Sequence, residues 1–271
     1  MSEQASGSWS DLRTRIVTGL ALAVIGLGAL VIGAGVLALV VAILAGMMIW
    51  ELARIVAPEA DPERSYLLAA MATVGILACA SVSLELGVAI LAAVPVVGAF
   101  LKGRSAGAIF FLYACLILAG ALGVYLMRTR LGLGPVLWLA AIVVGTDIAG
   151  YFGGRMLGGP KFWPSISPKK TWAGTLSGWV AAALIAAAFA VFGAPGQLPL
   201  GAFMLLSVVL SFAAQMGDIG ESALKRRVGV KDSSNLLPGH GGVLDRFDGM
   251  IAVFAVMLVL WMLLLIFGGS A

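Results

Sequence analysis

The feature that most limits what this chain can become is the recurrence of apolar runs about twenty residues long. They fall at about 16–34, 36–53, 66–83, 86–101, 106–127, 134–153, 174–192, 199–217 and 249–267, nine in all. A hydrocarbon core about 30 Å thick is crossed by roughly 20 helical residues. In lipid only a helix or a closed barrel satisfies its own backbone, and continuous runs without two-residue alternation select the helix. The expected fold is therefore all-α, a polytopic integral membrane protein. Composition agrees, since 61% of the 271 residues are hydrophobic and 11% charged, where a soluble domain carries about a quarter charged residues.

The net charge of +4 is modest, so the placement of the bases matters more than their sum, and nucleic acid is not an expected partner. With the N-terminus in the cytoplasm, fifteen of the seventeen lysines and arginines fall inside, leaving Arg128 and Arg130 outside. That bias sets the orientation. The opening MSEQASGSWSDLRTR mixes acids with arginines before a run longer than a signal-peptide core, so the first span is expected to be retained. Cys79 and Cys115 lie inside apolar runs, where a thiol behaves as a small hydrophobe. Two regions are expected: spans 1–5 in residues 1–130, and a catalytic region, 131–271, with cytoplasmic connections near 154–173 and 218–248. Gly33, Gly35 and Ala38 fit G-x-G-x-x-A but lack the strand and βαβ context of a nucleotide fingerprint.

Charge gathers at three places. In GDIGESALKRR, Asp218, Ser222 and Lys225 follow at helical spacings of four and three and share one face. An acid at the end of a membrane helix is costly and is a functional candidate by default. In KDSSNLLPGHGGVLDRFD, Pro238 with Gly239, Gly241 and Gly242 makes a turn whose backbone can approach a ligand and offer its amides. His240, the only histidine, lies in it. Asp245 and Asp248, three apart, would share a side of the next helix's first turn, a pair suited to Mg2+ or to helix capping. The third cluster is TDIAGYFGGRMLGGPKFWPSISPKKTWAG. Here Asp147 sits within the sixth span near its end, Gly150 and Gly154 permit close helix contact, and Ser167-Pro168 reads as a helix N-cap followed by Lys169 and Lys170, a seat for phosphate or an anchor to anionic lipid. Carboxylates for a divalent ion, bases for phosphates and a lipid-embedded body together suit phosphoryl or nucleotidyl transfer to a lipid.

The stretch from Ser222 to Asp248, read as S-x-L-K-R-x4-K-D-x5-P-G-H-G-G-x2-D-R-x-D, resembles the signature of the phosphatidate cytidylyltransferases, or CDP-diacylglycerol synthases. The likeness extends upstream through GDIGES, SPKKTWAG and TDIAGYFGGRMLGG to about Gly145, and WELARI after the second span shares it. Ala173 stands where the family often has an acid. The resemblance implies transfer of CMP from CTP to phosphatidic acid, giving CDP-diacylglycerol and pyrophosphate, at a bacterial inner membrane with the site facing the cytoplasm. It implies Mg2+, with K+ beside it, on Asp218, Asp245 and Asp248, and catalysis by these with Ser222 and Lys225. Substrate contacts would come from Asp147, Ser167, Lys169, Lys170, Arg226, Lys231, Asp232, His240, Gly241, Gly242 and Arg246, and the family looks homodimeric.

Two rivals are weaker. Asp245, Asp248, Gly249 and Ala252 open the D-x2-D-G-x2-A motif of CDP-alcohol phosphotransferases, but Val253 stands where that motif needs arginine and no further aspartates follow. A transporter using Asp147 and Asp218 would want internal repeats and charges at the midplane. Here the charges cluster on one side.

Overall fold

The computed structural model describes residues 3–59, 61–102, 104–191 and 198–267. Among them are nine helices long and apolar enough to cross a membrane: α1 (Glu3–Ile32), α2 (Ala34–Val56), α3 (Pro62–Ser81), α4 (Leu84–Lys102), α5 (Arg104–Arg130), α6 (Leu133–Leu157), α7 (Trp172–Val191), α8 (Leu200–Val228) and α9 (Leu244–Phe267). The chain is an all-α polytopic membrane protein. Two helix boundaries follow stop and cap signals in the sequence. Gly33, at φ 143°, separates α1 from α2. Asp61 caps α3 by accepting from Glu63 N at 3.0 Å, with Pro62 in the first turn.

Two boundaries differ from the sequence expectation. The eighth helix does not stop near 217 but runs on to Val228, so the polar connection before α9 shrinks to residues 229–243. Ser167-Pro168 does not cap a helix. Ser167–Thr171 is a strand, β2, paired antiparallel with β1 (Lys161–Trp163), with Trp163 opposite Ser167 and Lys161 opposite Thr171. Proline biases the residue before it toward extended backbone. The α7 cap is instead Thr171, whose Oγ1 accepts from Gly174 N at 3.2 Å.

By backbone contacts the chain forms two compact units, each discontinuous in sequence: Met1–Cys115 with Val228–Phe247, and Leu116–Arg227 with Asp248–Ala271. In the first, α3 packs against both α2 and α4, burying Ile49, Leu52, Leu68 and Ile76 completely. The Thr73 hydroxyl donates to Ala42 O of α2 at 3.2 Å and Ala69 O at 3.0 Å. In the second, α6 packs on α7. The expected close contact at Gly150 and Gly154 is present, for a Cβ on Gly174 of α7 would lie 2.6 Å from Gly150 O and 3.3 Å from Gly154 Cα.

A polar seam runs along α8 at a spacing of four. Ser207 Oγ accepts from Trp138 Nε1 at 3.2 Å, Ser211 and Thr146 hydroxyls meet at 2.7 Å, and Gln215 donates to Thr175 O at 3.2 Å while accepting from Trp179 Nε1 at 3.1 Å. Pairing of this kind is what a polar group in hydrocarbon requires. The seam leads along the helix to Asp218.

Candidate active site

Two constructions, one in each unit, hold the residues that the sequence singles out. The first is an acid cluster. Asp218 and Glu221 stand three apart on α8, and Asp248 lies just over a turn into α9; an oxygen from each comes within 4.8 Å of the others. The helix backbones nearly touch there, since a Cβ on Gly217 would lie 2.6 Å from Asp248 O. Asp147 of α6 is near enough for the charges of Asp218, Lys170 and Asp248 to act on it.

Two ammonium groups balance part of this charge. Lys170 Nζ lies 2.5 Å from Asp218 Oδ2, and Lys225 Nζ lies 3.2 Å from Glu221 Oε2. Lys170 reaches the cluster from β2, also donating to Gln215 O at 3.4 Å. Its neighbour Lys169 is exposed. Ser222 Oγ is 3.5 Å from Asp218 Oδ1, a long contact. Arg226 donates to Ser165 O at 3.2 Å and so ties the end of α8 to the turn between the strands. The donor set is three hard carboxylate oxygens beside a polar helix end, which suits a magnesium-sized cation that keeps several waters. Its charge, offset by two lysines, is what such an ion would meet.

The second construction is the loop from Val228 to Phe247. Its glycine turn does not offer its amides outward as expected. The His240 and Gly241 amides donate to Leu237 O at 2.9 and 3.1 Å. Gly242 N donates to Asp245 Oδ2 at 2.7 Å, and Val243 N and Leu244 N donate to Glu51 Oε1 and Oε2 at 2.8 and 2.7 Å. Ser233 gives Asp245 two more bonds, from N at 2.9 Å and Oγ at 2.8 Å. Both oxygens of Asp245 are thus engaged by the loop, and the carboxylate that joins Asp218 and Asp248 in the acid cluster is Glu221.

The glycines follow from this packing. Gly241 has φ +85°, and a Cβ on Gly242 would lie 2.7 Å from Glu51 Oε1. His240 packs against α1, its Nε2 3.5 Å from where a Cβ on Gly19 would sit, while Thr18 donates to Pro238 O at 3.1 Å. Arg246 Nε donates to His240 O at 3.0 Å. Lys231 and Asp232 are exposed.

Two residues escaped the sequence reading. Glu221 lies three residues after Asp218, a spacing that puts it on the same helix face as surely as Ser222. Glu51 carried a signal too, as the one acid in the apolar run of α2.

Comparison with known proteins fits this arrangement. Residues 13–264 match the model of the cytidylyltransferase family. The chain is 38% identical over 257 residues, 92% of each chain, to a phosphatidate cytidylyltransferase of Brucella suis biovar 1 (strain 1330). It is 42% identical over 156 residues, 56% of each chain, to that of Helicobacter pylori (strain ATCC 700392 / 26695). With that of Bacillus subtilis (strain 168) it shares 44% identity over 124 residues, 45% of each. With its signature segment and acid cluster inside the matched region, the chain belongs to the cytidylyltransferase family.

Proposed function

We propose that the protein is a phosphatidate cytidylyltransferase, transferring CMP from CTP to phosphatidic acid with release of pyrophosphate, and that it works at a bacterial inner membrane with its catalytic loops in the cytoplasm. The observation that carries this is the cluster of Asp218, Glu221 and Asp248 at the polar ends of membrane helices, flanked by Lys170 and Lys225. A lipid phosphate and a nucleoside triphosphate are both strongly anionic. Bringing them together needs cationic charge held where little water competes.

Asp218, Glu221 and Asp248 would hold the magnesium, which when bound supplies charge neutralisation to the phosphates. Asp147 adds to the negative field that retains a cation. The remaining work falls to the chain's own bases. Lys170 and Lys225, paired with acids in the structure, would supply positive charge to phosphate oxygens. Arg226, Lys231 and Arg246 take further phosphate charge, and Ser222 hydrogen-bonds a phosphate oxygen. A phosphatidate oxygen attacks the α-phosphorus of CTP as the bond to pyrophosphate breaks. The lipid phosphate is largely dianionic at neutral pH, its second pKa being about 6. No proton must be removed from the nucleophile, so no general base is assigned. His240 is a turn contact against α1, and Asp245 holds the loop. K+ as a companion ion and a homodimer follow from the family resemblance.

The test is transfer of label from α-phosphorus-labelled CTP to phosphatidic acid in detergent micelles, with and without magnesium. Magnesium-dependent label in lipid that is lost in Asp248→Asn supports the reading. Well-folded wild-type protein that labels no lipid rejects it.

A further inference from the structure

Glu51 belongs to no step above, yet it is a fully buried acid in a membrane-spanning helix. An ionisable group so placed has a function or a partner. Its partners are all in the signature loop: Ser234 Oγ donates to Oε1 at 2.5 Å, Val243 N donates to Oε1 at 2.8 Å and Leu244 N to Oε2 at 2.7 Å. The carboxylate therefore takes two of the free amides at the start of α9, from a helix nearly two hundred residues earlier in the chain. Gly242 has no side chain because this carboxylate fills the space.

We infer that Glu51 is a positioning residue for the metal site: by gripping Val243 and Leu244 it fixes where α9 begins and how it is rotated, and so sets Asp248, four residues along that helix. A loop of glycines and serines has no rigidity of its own. With residues 242–244 donating to Asp245 and Glu51 in succession, the three amides that lead into α9 are each held at 2.8 Å or less. A neutral amide in place of the carboxylate keeps one acceptor but turns an NH2 group against an N–H donor. The first turn of α9 then shifts or frays, and Asp248 with it.

The inference rests on the proposed metal role of Asp218, Glu221 and Asp248. Its test reads the metal alone, by Mn2+ binding to the full-length protein in detergent followed by electron paramagnetic resonance. Glu51→Gln is compared with wild type and with Leu68→Ala, which empties part of the α3 core and lowers stability. The expected result is Mn2+ affinity about tenfold weaker in Glu51→Gln and unchanged in Leu68→Ala, with faster hydrogen exchange at Val243 and Leu244 in Glu51→Gln alone. Unchanged affinity in Glu51→Gln at a melting loss like that of Leu68→Ala would make Glu51 merely structural and overturn the inference. Should Glu51→Gln not fold, Ser234→Ala removes one bond of the three; a few-fold weakening supports the role and wild-type affinity overturns it. Wild-type protein that binds no Mn2+ overturns the metal reading itself.

Discussion

Replacing Gly242 by alanine places a methyl group where Glu51 and Ser233 already are. Its Cβ would lie 2.7 Å from Glu51 Oε1 and 2.8 Å from Ser233 Cβ, where ordinary contact begins at 3.4 Å, so the shortfall at the oxygen is 3.4 − 2.7 = 0.7 Å. A carboxylate that withdrew by that amount would stretch the 2.8 Å bond from Val243 N to about 3.5 Å, beyond hydrogen-bonding range. Losing a bond to a buried charged acceptor costs about 1.5–3 kcal/mol, and absorbing the methyl group by backbone movement costs about 1–3 kcal/mol. The structure takes whichever route is cheaper or mixes them, so the expected loss is about 2–3 kcal/mol. That is a factor of about 30 to 150 in the opening equilibrium of the loop. Hydrogen exchange at Val243 and Leu244 reads that equilibrium directly. Gly249→Ala is the internal control: its Cβ would have nothing nearer than Ala214 O at 3.4 Å, and alanine is the better helix former by roughly 0.5–1 kcal/mol. If exchange at Val243 and Leu244 were as slow in Gly242→Ala as in Gly249→Ala, the tight seating of the glycine turn on Glu51 would be wrong.

Further outcomes follow from the same geometry. Asp245→Asn loses charge from bonds to Ser233 and Gly242, so thermal melting should show a loss of about 1.5–3 kcal/mol, while Mn2+ affinity in the folded fraction falls only a few-fold through the loop that leads into α9; a loss beyond about a hundredfold at full folding would put Asp245 on the metal. Lys170→Met removes the ammonium that competes with a cation for Asp218. Mn2+ binding should tighten about fivefold, an ion pair of about 1 kcal/mol, while CMP transfer slows because a phosphate-binding charge is gone. Weaker Mn2+ binding would contradict this. Thr171→Ala removes the α7 cap and should cost about 1 kcal/mol, seen as a small fall in melting temperature with the rate nearly kept.

The spans were legible because a bilayer imposes a length rule that apolar runs state openly, and Asp218 near the end of α8 stood out because lipid makes such a residue costly. What resisted reading was contact between distant segments. Ser167-Pro168 carries the chemistry of a helix cap, yet proline also favours extended backbone before it, and pairing with Lys161–Trp163 decided the matter. The glycine turn looked like a ligand cradle because nothing local reveals that Glu51, far upstream, accepts its following amides. Asp245 and Asp248 share a spacing that suits one helix face, but a first-turn carboxylate can fold back to cap its own loop, as Asp245 does. Glu221 was legible in principle: spacings of three and four both return to one face, and the hydroxyl of Ser222 drew attention from the carboxylate beside it.

The most direct test of the acid cluster as the catalytic metal site is the turnover of Glu221→Gln, measured as magnesium-dependent CMP transfer to phosphatidic acid by protein whose melting matches wild type. The expected loss is about a thousandfold, the rate equivalent of about 4 kcal/mol of charge stabilisation. A wild-type rate with wild-type magnesium dependence would contradict it.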